Sequence, residues 1–149
     1  MYIYYRPVPQ VLWLQGRNYN DSMCQEISKC HNLRALALNH LENITPYGLK
    51  FIASLTNLEM LQLLHADNIS PPCFTEFFMN DNMRNLTHVN LFGTGADDTQ
   101  VEKTIRKNCP NIREISFRIN GFRKETIYIY FGIALTGLEC ENCKSHFSI

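Results

Sequence analysis

An α/β solenoid is the fold class this 149-residue chain predicts: about five strand–helix units in a curved right-handed array, with parallel strands on the concave face and helices on the convex face. Two observations predict it. The first is a phrase with an apolar residue at its first, fourth and sixth positions, found as Val8/Val11/Trp13, Leu33/Leu36/Leu38, Leu58/Leu61/Leu63, Leu86/Val89/Leu91 and Ile112/Ile115/Phe117. Its copies begin 25, 25, 28 and 26 residues apart, inside the roughly 20–29 residues that one strand-plus-helix unit takes. The second is that helix-capping residues and helical apolar spacing follow each of the first four phrases.

In Leu33-Arg34-Ala35-Leu36-Ala37-Leu38 the fourth and sixth side chains point to one side of a strand, and the third, fifth and seventh to the other. The first unit reads as a strand over Val8 to Trp13, then a helix begun by Asp21-Ser22 and carrying Cys24, Ile27 and Cys30. In the second, Thr45 suits a cap and Pro46 a first turn, while Leu49, Ile52 and Ala53 share one helical face. The third repeats the device with Asn68-Ile69-Ser70-Pro71, then Cys73 and Phe77; the additional residues of its longer interval fall around Met79 to Met83. The fourth has Asp97 or Asp98 as its cap, with Val101 and Ile105 as its buried stripe. No such unit buries both its strand leucines and its helix stripe alone, whereas stacked units do. Residues 1–120 are assigned to this array and residues 121–149 to a degenerate cap or tail, in which Thr126 to Phe131 alternates weakly like a strand suited to closing the open end.

Charge narrows the partners. With 14 basic and 14 acidic residues the formal charge is zero, which favours neither a nucleic-acid backbone nor an anionic membrane. The longest apolar runs, such as Ile127 to Leu135, fall short of the roughly 20 residues that span a bilayer. The first residues carry no basic segment followed by an apolar stretch, so the expectation is a soluble chain in the cytoplasm or nucleus. Six cysteines need not form a disulfide framework in a chain with this much core. Cys30 and Cys109 occupy the same slot three units apart, too far to bridge, and are expected as free thiols that pack like small hydrophobes.

The linking phrases Cys30-His31-Asn32-Leu33, Thr56-Asn57-Leu58, Arg84-Asn85-Leu86 and Cys109-Pro110-Asn111-Ile112, together with Ile44-Thr45-Pro46-Tyr47-Gly48-Leu49, resemble the cysteine-containing leucine-rich repeats of F-box/leucine-rich-repeat proteins. The ninth position, usually Cys or Asn in that subfamily, is here Gly16, Leu41, Ala66, Thr94 and Asn120, so its polar loop ladder is expected to be incomplete. The resemblance implies a non-catalytic protein-recognition scaffold, in its specific form the substrate-recognition repeats of a ubiquitin-ligase subunit. A repeat strand by Val8 leaves no F-box, the module that would reach the ligase adaptor. The chain is therefore read as a fragment or truncated form of such a subunit, or alternatively as a standalone structural or assembly factor.

No Gly-x-Gly-x-x-Gly, phosphate-binding loop or His-Glu-x-x-His occurs, and the five histidines are scattered, so neither a catalytic residue nor a cofactor is expected. Cys140, Cys143 and His146 offer three ligands where a closed zinc site needs four, and no metal is expected. The informative surface is the strand face turned from the core. Its seventh row contains Leu14, Leu64 and Phe92, large apolar residues that the core does not demand. Leu64 and Phe92 with Arg34, Glu59, Gln62, His88, Asn90, Arg113 and Arg118 form the expected partner-binding site on the concave face. The basic edge of Arg113 and Arg118 suits an acidic or phosphorylated protein segment.

Overall fold

Short apolar runs alternate with capped amphipathic segments, and the backbone follows that alternation in a computed structural model that describes residues 10–15, 19–96 and 99–117. The elements are β1 (Val11–Gln15), α1 (Asp21–Ser28), β2 (Ala35–Asn39), α2 (Pro46–Ile52), β3 (Met60–Leu63), α3 (Pro71–Met79), β4 (His88–Asn90), α4 (Thr99–Asn108) and β5 (Glu114–Ser116). The strands form one sheet in the order β1-β2-β3-β4-β5, every neighbouring pair parallel. Parallel neighbours require a crossover, and α1 to α4 supply one between each pair.

Register aligns the core. Leu12, Leu36, Leu61, Val89 and Ile115 lie on successive rungs, as do Leu14, Leu38 and Leu63. These side chains share one cluster with the helix stripes Leu49/Ile52, Phe74/Phe77/Phe78 and Val101/Ile105, except that Ile115 is half-buried and packs against it. Leu33, Leu58 and Leu86, the first residues of their phrases, are fully buried in it.

The first strand departs from the expected phrasing. Leu12 and Leu14, not Val11 and Trp13, occupy the core rows, while Trp13 pairs with Ala37 on the other face. A one-residue slip exchanges the two faces of a strand. Val11-Leu12-Trp13-Leu14 is apolar throughout, so alternation alone does not select between them; pairing with β2 does.

Three helix starts also differ from, or sharpen, their expectations. The cap of α1 is Asn20, whose side chain accepts from the Met23 amide. Asp21, expected as part of that cap, instead joins two helices: its carboxylate accepts from the Thr45 amide at 2.9 Å and the Thr45 hydroxyl at 2.5 Å. Thr45 caps α2 by accepting from the Tyr47 amide. Gly48 leaves the space Asp21 uses, because a Cβ there would run into Asp21 Oδ1. At α3 the Ser70 side chain makes no cap bond, and Cys73 is only half-buried, the core stripe being Phe74, Phe77 and Phe78. The additional residues of this unit form a short 3-10 turn, Asp81–Met83, which buries Met83. Asp97 and Asp98, the expected cap of α4, lie outside the described residues, as does the segment Thr126 to Phe131.

Cys24 and Cys109 are buried free thiols, whereas Cys30 and Cys73 are half-buried. The Cys109 thiol donates to the Met83 carbonyl at 3.3 Å. Burial pushes the Cys24 thiol up to about 12 and the Cys109 thiol up to about 11. Because the thiolate is the nucleophile, iodoacetamide should label Cys30 and Cys73 well before Cys24 and Cys109 in the native protein. Peptide mapping after brief alkylation checks this, and equal labelling of Cys24 and Cys30 would contradict it. Both folded values lie above the ordinary thiol value of 9.0. The stability linked to them is therefore complete below pH 9.0 and is lost as pH rises from there toward the folded values.

Candidate partner groove at the strand edge

One residue before each of β2 to β5 stands a side chain held by a repeated backbone contact. The carbonyl of Arg34 accepts from the amides of Glu59 and Met60; that of Glu59 accepts from Thr87 and His88; that of Thr87 accepts from Arg113 and Glu114. This pattern sets Arg34, Glu59, Thr87 and Arg113 in a row across the N-terminal ends of the strands. With Asn57, Asn85, Pro110, Asn111 and Ile112 they line an open groove of about 700 Å³.

Two asparagines in this groove are fixed by the preceding unit. Asn57 Nδ2 donates to the His31 carbonyl and Asn85 Nδ2 to the Thr56 carbonyl, each at 2.9 Å. An amide whose nitrogen is bonded inward presents its oxygen away from that bond. Sequence reasoning missed this ladder, though Asn recurs in every linking phrase; it looked instead at the ninth position. There Leu41 and Ala66 are buried and Thr94 bonds the loop by donating to the Leu91 carbonyl, while Gly16 and Asn120 lie outside the described residues.

The charges in the groove are partly matched. The Arg34 guanidinium donates from Nε to Glu59 Oε1 at 3.1 Å, and from Nη2 to Oε1 at 3.0 Å and to Oε2 at 2.8 Å. Both partners are substantially exposed, so the pair contributes about 0–1 kcal/mol and mainly fixes geometry. Arg113 is exposed and forms no ion pair among the described residues.

Of the nine expected site residues, Arg34, Glu59 and Arg113 come together here. The remaining ones do not form an exposed apolar face. Leu64 is buried at 9% exposure, and Ala35, Ala37 and Met60 on the same side of the sheet are buried too, outside the main core cluster. Leu14 is a core residue, because β1 is shifted by one. Asn90 is fully buried: it donates to Gln62 Oε1 at 3.2 Å and accepts from the Phe92 amide, so it holds the turn after β4. Phe92 is half-buried with its ring edge-on to His65, centroids 5.4 Å apart. Arg118 lies outside the described residues, as do Cys140, Cys143 and His146.

His88 is half-buried on the far face. Thr87 Oγ1 donates its proton to the Glu59 carbonyl, which leaves the His88 Nδ1–H to donate to Thr87 Oγ1 at 2.8 Å. Burial lowers the His88 pKa, opposed by the charge of Glu114 and reinforced by that of Arg113, so the ring is neutral at neutral pH. A second feature that sequence reasoning missed lies at the opposite strand ends. His40 and His65 occupy one slot in successive units with φ of 61° and 57°, followed by Gly93 at 67°. Their rings stack with centroids 5.3 Å apart, and the Glu42 carboxyl beside His40 is held below its ordinary value by a backbone hydrogen bond, with His40 adding. Few residues adopt positive φ, and histidine is among the more tolerant. The signal was a histidine or glycine at the eighth position of the phrases that begin at Leu33, Leu58 and Leu86.

Among the described residues no group of three or more His, Cys, Asp or Glu is placed to hold a metal, and no helix is long and apolar enough to cross a membrane. No known protein-family model and no curated protein matches the chain.

Proposed function

We propose that this chain is a leucine-rich-repeat solenoid acting as a non-catalytic protein-recognition scaffold. The observation that carries the reading is the groove, built from equivalent positions of four successive strand entries and lined by rigidly held polar groups. A comb of side chains on rigid strand ends favours an extended macromolecular partner, since equivalent groups recur one rung, about 5 Å, apart. By the resemblance of its linking phrases, the finer reading is the substrate-recognition part of an F-box ubiquitin ligase, located in the cytoplasm or nucleus.

A photo-crosslinking amino acid tests the recognition reading. Placed at the groove residue Asn111 it should capture one discrete protein, whereas at Lys50, exposed on α2, it should not. Equal products from both positions, or none from Asn111, would contradict the groove as the recognition surface. For the ligase reading, the captured protein should live longer in cells that lack this chain. An unchanged half-life favours the assembly-factor reading.

A further inference from the structure

We infer that the groove takes an extended acidic peptide, with a Glu or Asp side chain on Arg113 and main-chain N–H groups on the amide oxygens of Asn57 and Asn85. This rests on the recognition reading above and names the chemistry of its partner.

The charge pattern supplies the first argument. Three charged residues line the groove, Arg34, Glu59 and Arg113. The Arg34 guanidinium and the Glu59 carboxylate are bonded to one another, which leaves the positive charge of Arg113 without a carboxylate among the described residues. An exposed guanidinium of this kind pairs bidentately with a carboxylate. The match is specific to one end, because an acid placed over Glu59 would meet like charge.

The amides supply the second argument. Asn57 and Asn85 commit their nitrogens to the His31 and Thr56 carbonyls, so both present acceptor oxygens from fixed positions on neighbouring units. Acceptors held in advance reduce the ordering cost of binding. A peptide backbone offers N–H donors for them. A nucleic-acid backbone offers phosphates, which these oxygens and the Glu59 carboxylate disfavour, and the chain carries no net charge to offset that. The order of groups along the groove is therefore acceptor, acceptor, cation, to be met by donor, donor, anion.

Fluorescence anisotropy with a labelled peptide of alternating Glu and Gly tests this, using the full chain at low salt. The wild type should bind it about threefold to fivefold more tightly than the matching Gln–Gly peptide, the preference that one exposed ion pair supplies at low salt. Arg113→Glu should remove that preference, and Arg113→Lys should retain part of it. Lys50→Glu, with the same change in net charge on α2, should leave binding unaltered. Arg113 is exposed, so thermal melting of the variants should match the wild type. The inference is overturned if the Gln peptide binds equally well, if Arg113→Glu and Lys50→Glu behave alike, or if single-stranded oligothymidylate displaces the peptide at lower concentration than unlabelled peptide does. A discrete protein crosslinked from Asn111 together with no Glu preference would retain the recognition reading and discard the acidic partner.

Discussion

Phe78→Ala is expected to lower the unfolding free energy by about 3–5 kcal/mol, and Leu61→Ala by about 2–5 kcal/mol. Both side chains are fully buried. Phe78 sits at the end of α3 with its ring edge-on to Phe77, centroids 4.9 Å apart, so truncation removes an aromatic contact and opens a cavity in the core. Leu61 pairs in register with Leu36 on one side and Val89 on the other, and its loss empties one rung of the core row. Lys50→Ala, exposed on α2, should change stability by less than about 0.5 kcal/mol. Urea denaturation of the three variants measures this. Equal midpoints for Leu61→Ala and Lys50→Ala would mean that the strand faces are assigned the wrong way round.

Leu64→Asp is expected to destabilise the fold by about 3–5 kcal/mol, the range for a buried charge left without a partner. From the sequence, Leu64→Asp combined with Phe92→Asp promised a loss of partner binding with an unchanged melting temperature, because both residues were expected to be exposed in the seventh row. At 9% exposure Leu64 is instead enclosed, and a carboxylate there would lose its hydration. Thermal melting distinguishes the two expectations: an unchanged midpoint would place the residue in water, and a fall of several degrees would place it in the interior. Arg113→Glu is the matched control, a charge change at an exposed position of the same sheet.

These two variants mark how far the sequence could be read. The alternation of strands and helices was legible because each unit carries its own punctuation: Thr45-Pro46 and Ser70-Pro71 begin helices, and Asn57-Leu58 and Asn85-Leu86 precede strands. The additional residues around Met79 to Met83 were legible as well, since the 28-residue interval is the longest of the four, and they form the turn Asp81–Met83. The candidate site was legible in part. Arg34, Glu59 and Arg113 share a slot, and equal slots become neighbours in a parallel sheet. The amide ladder and the histidine stack were not read, because each depends on a bond between units rather than within one.

By itself the sequence determined the order in which strands and helices alternate and that Leu36, Leu38, Leu61 and Leu63 face the core, because those follow from local periodicity and capping. Tertiary structure alone decided the register of β1, where four consecutive apolar residues carry no alternation and pairing with β2 turns Leu12 and Leu14 inward. It also decided that Leu64 and Asn90 are enclosed while Arg113 is open. Exposure on a sheet is a property of what neighbouring strands and segments place over a side chain, and those neighbours are distant in sequence, so no residue's own pattern contains it.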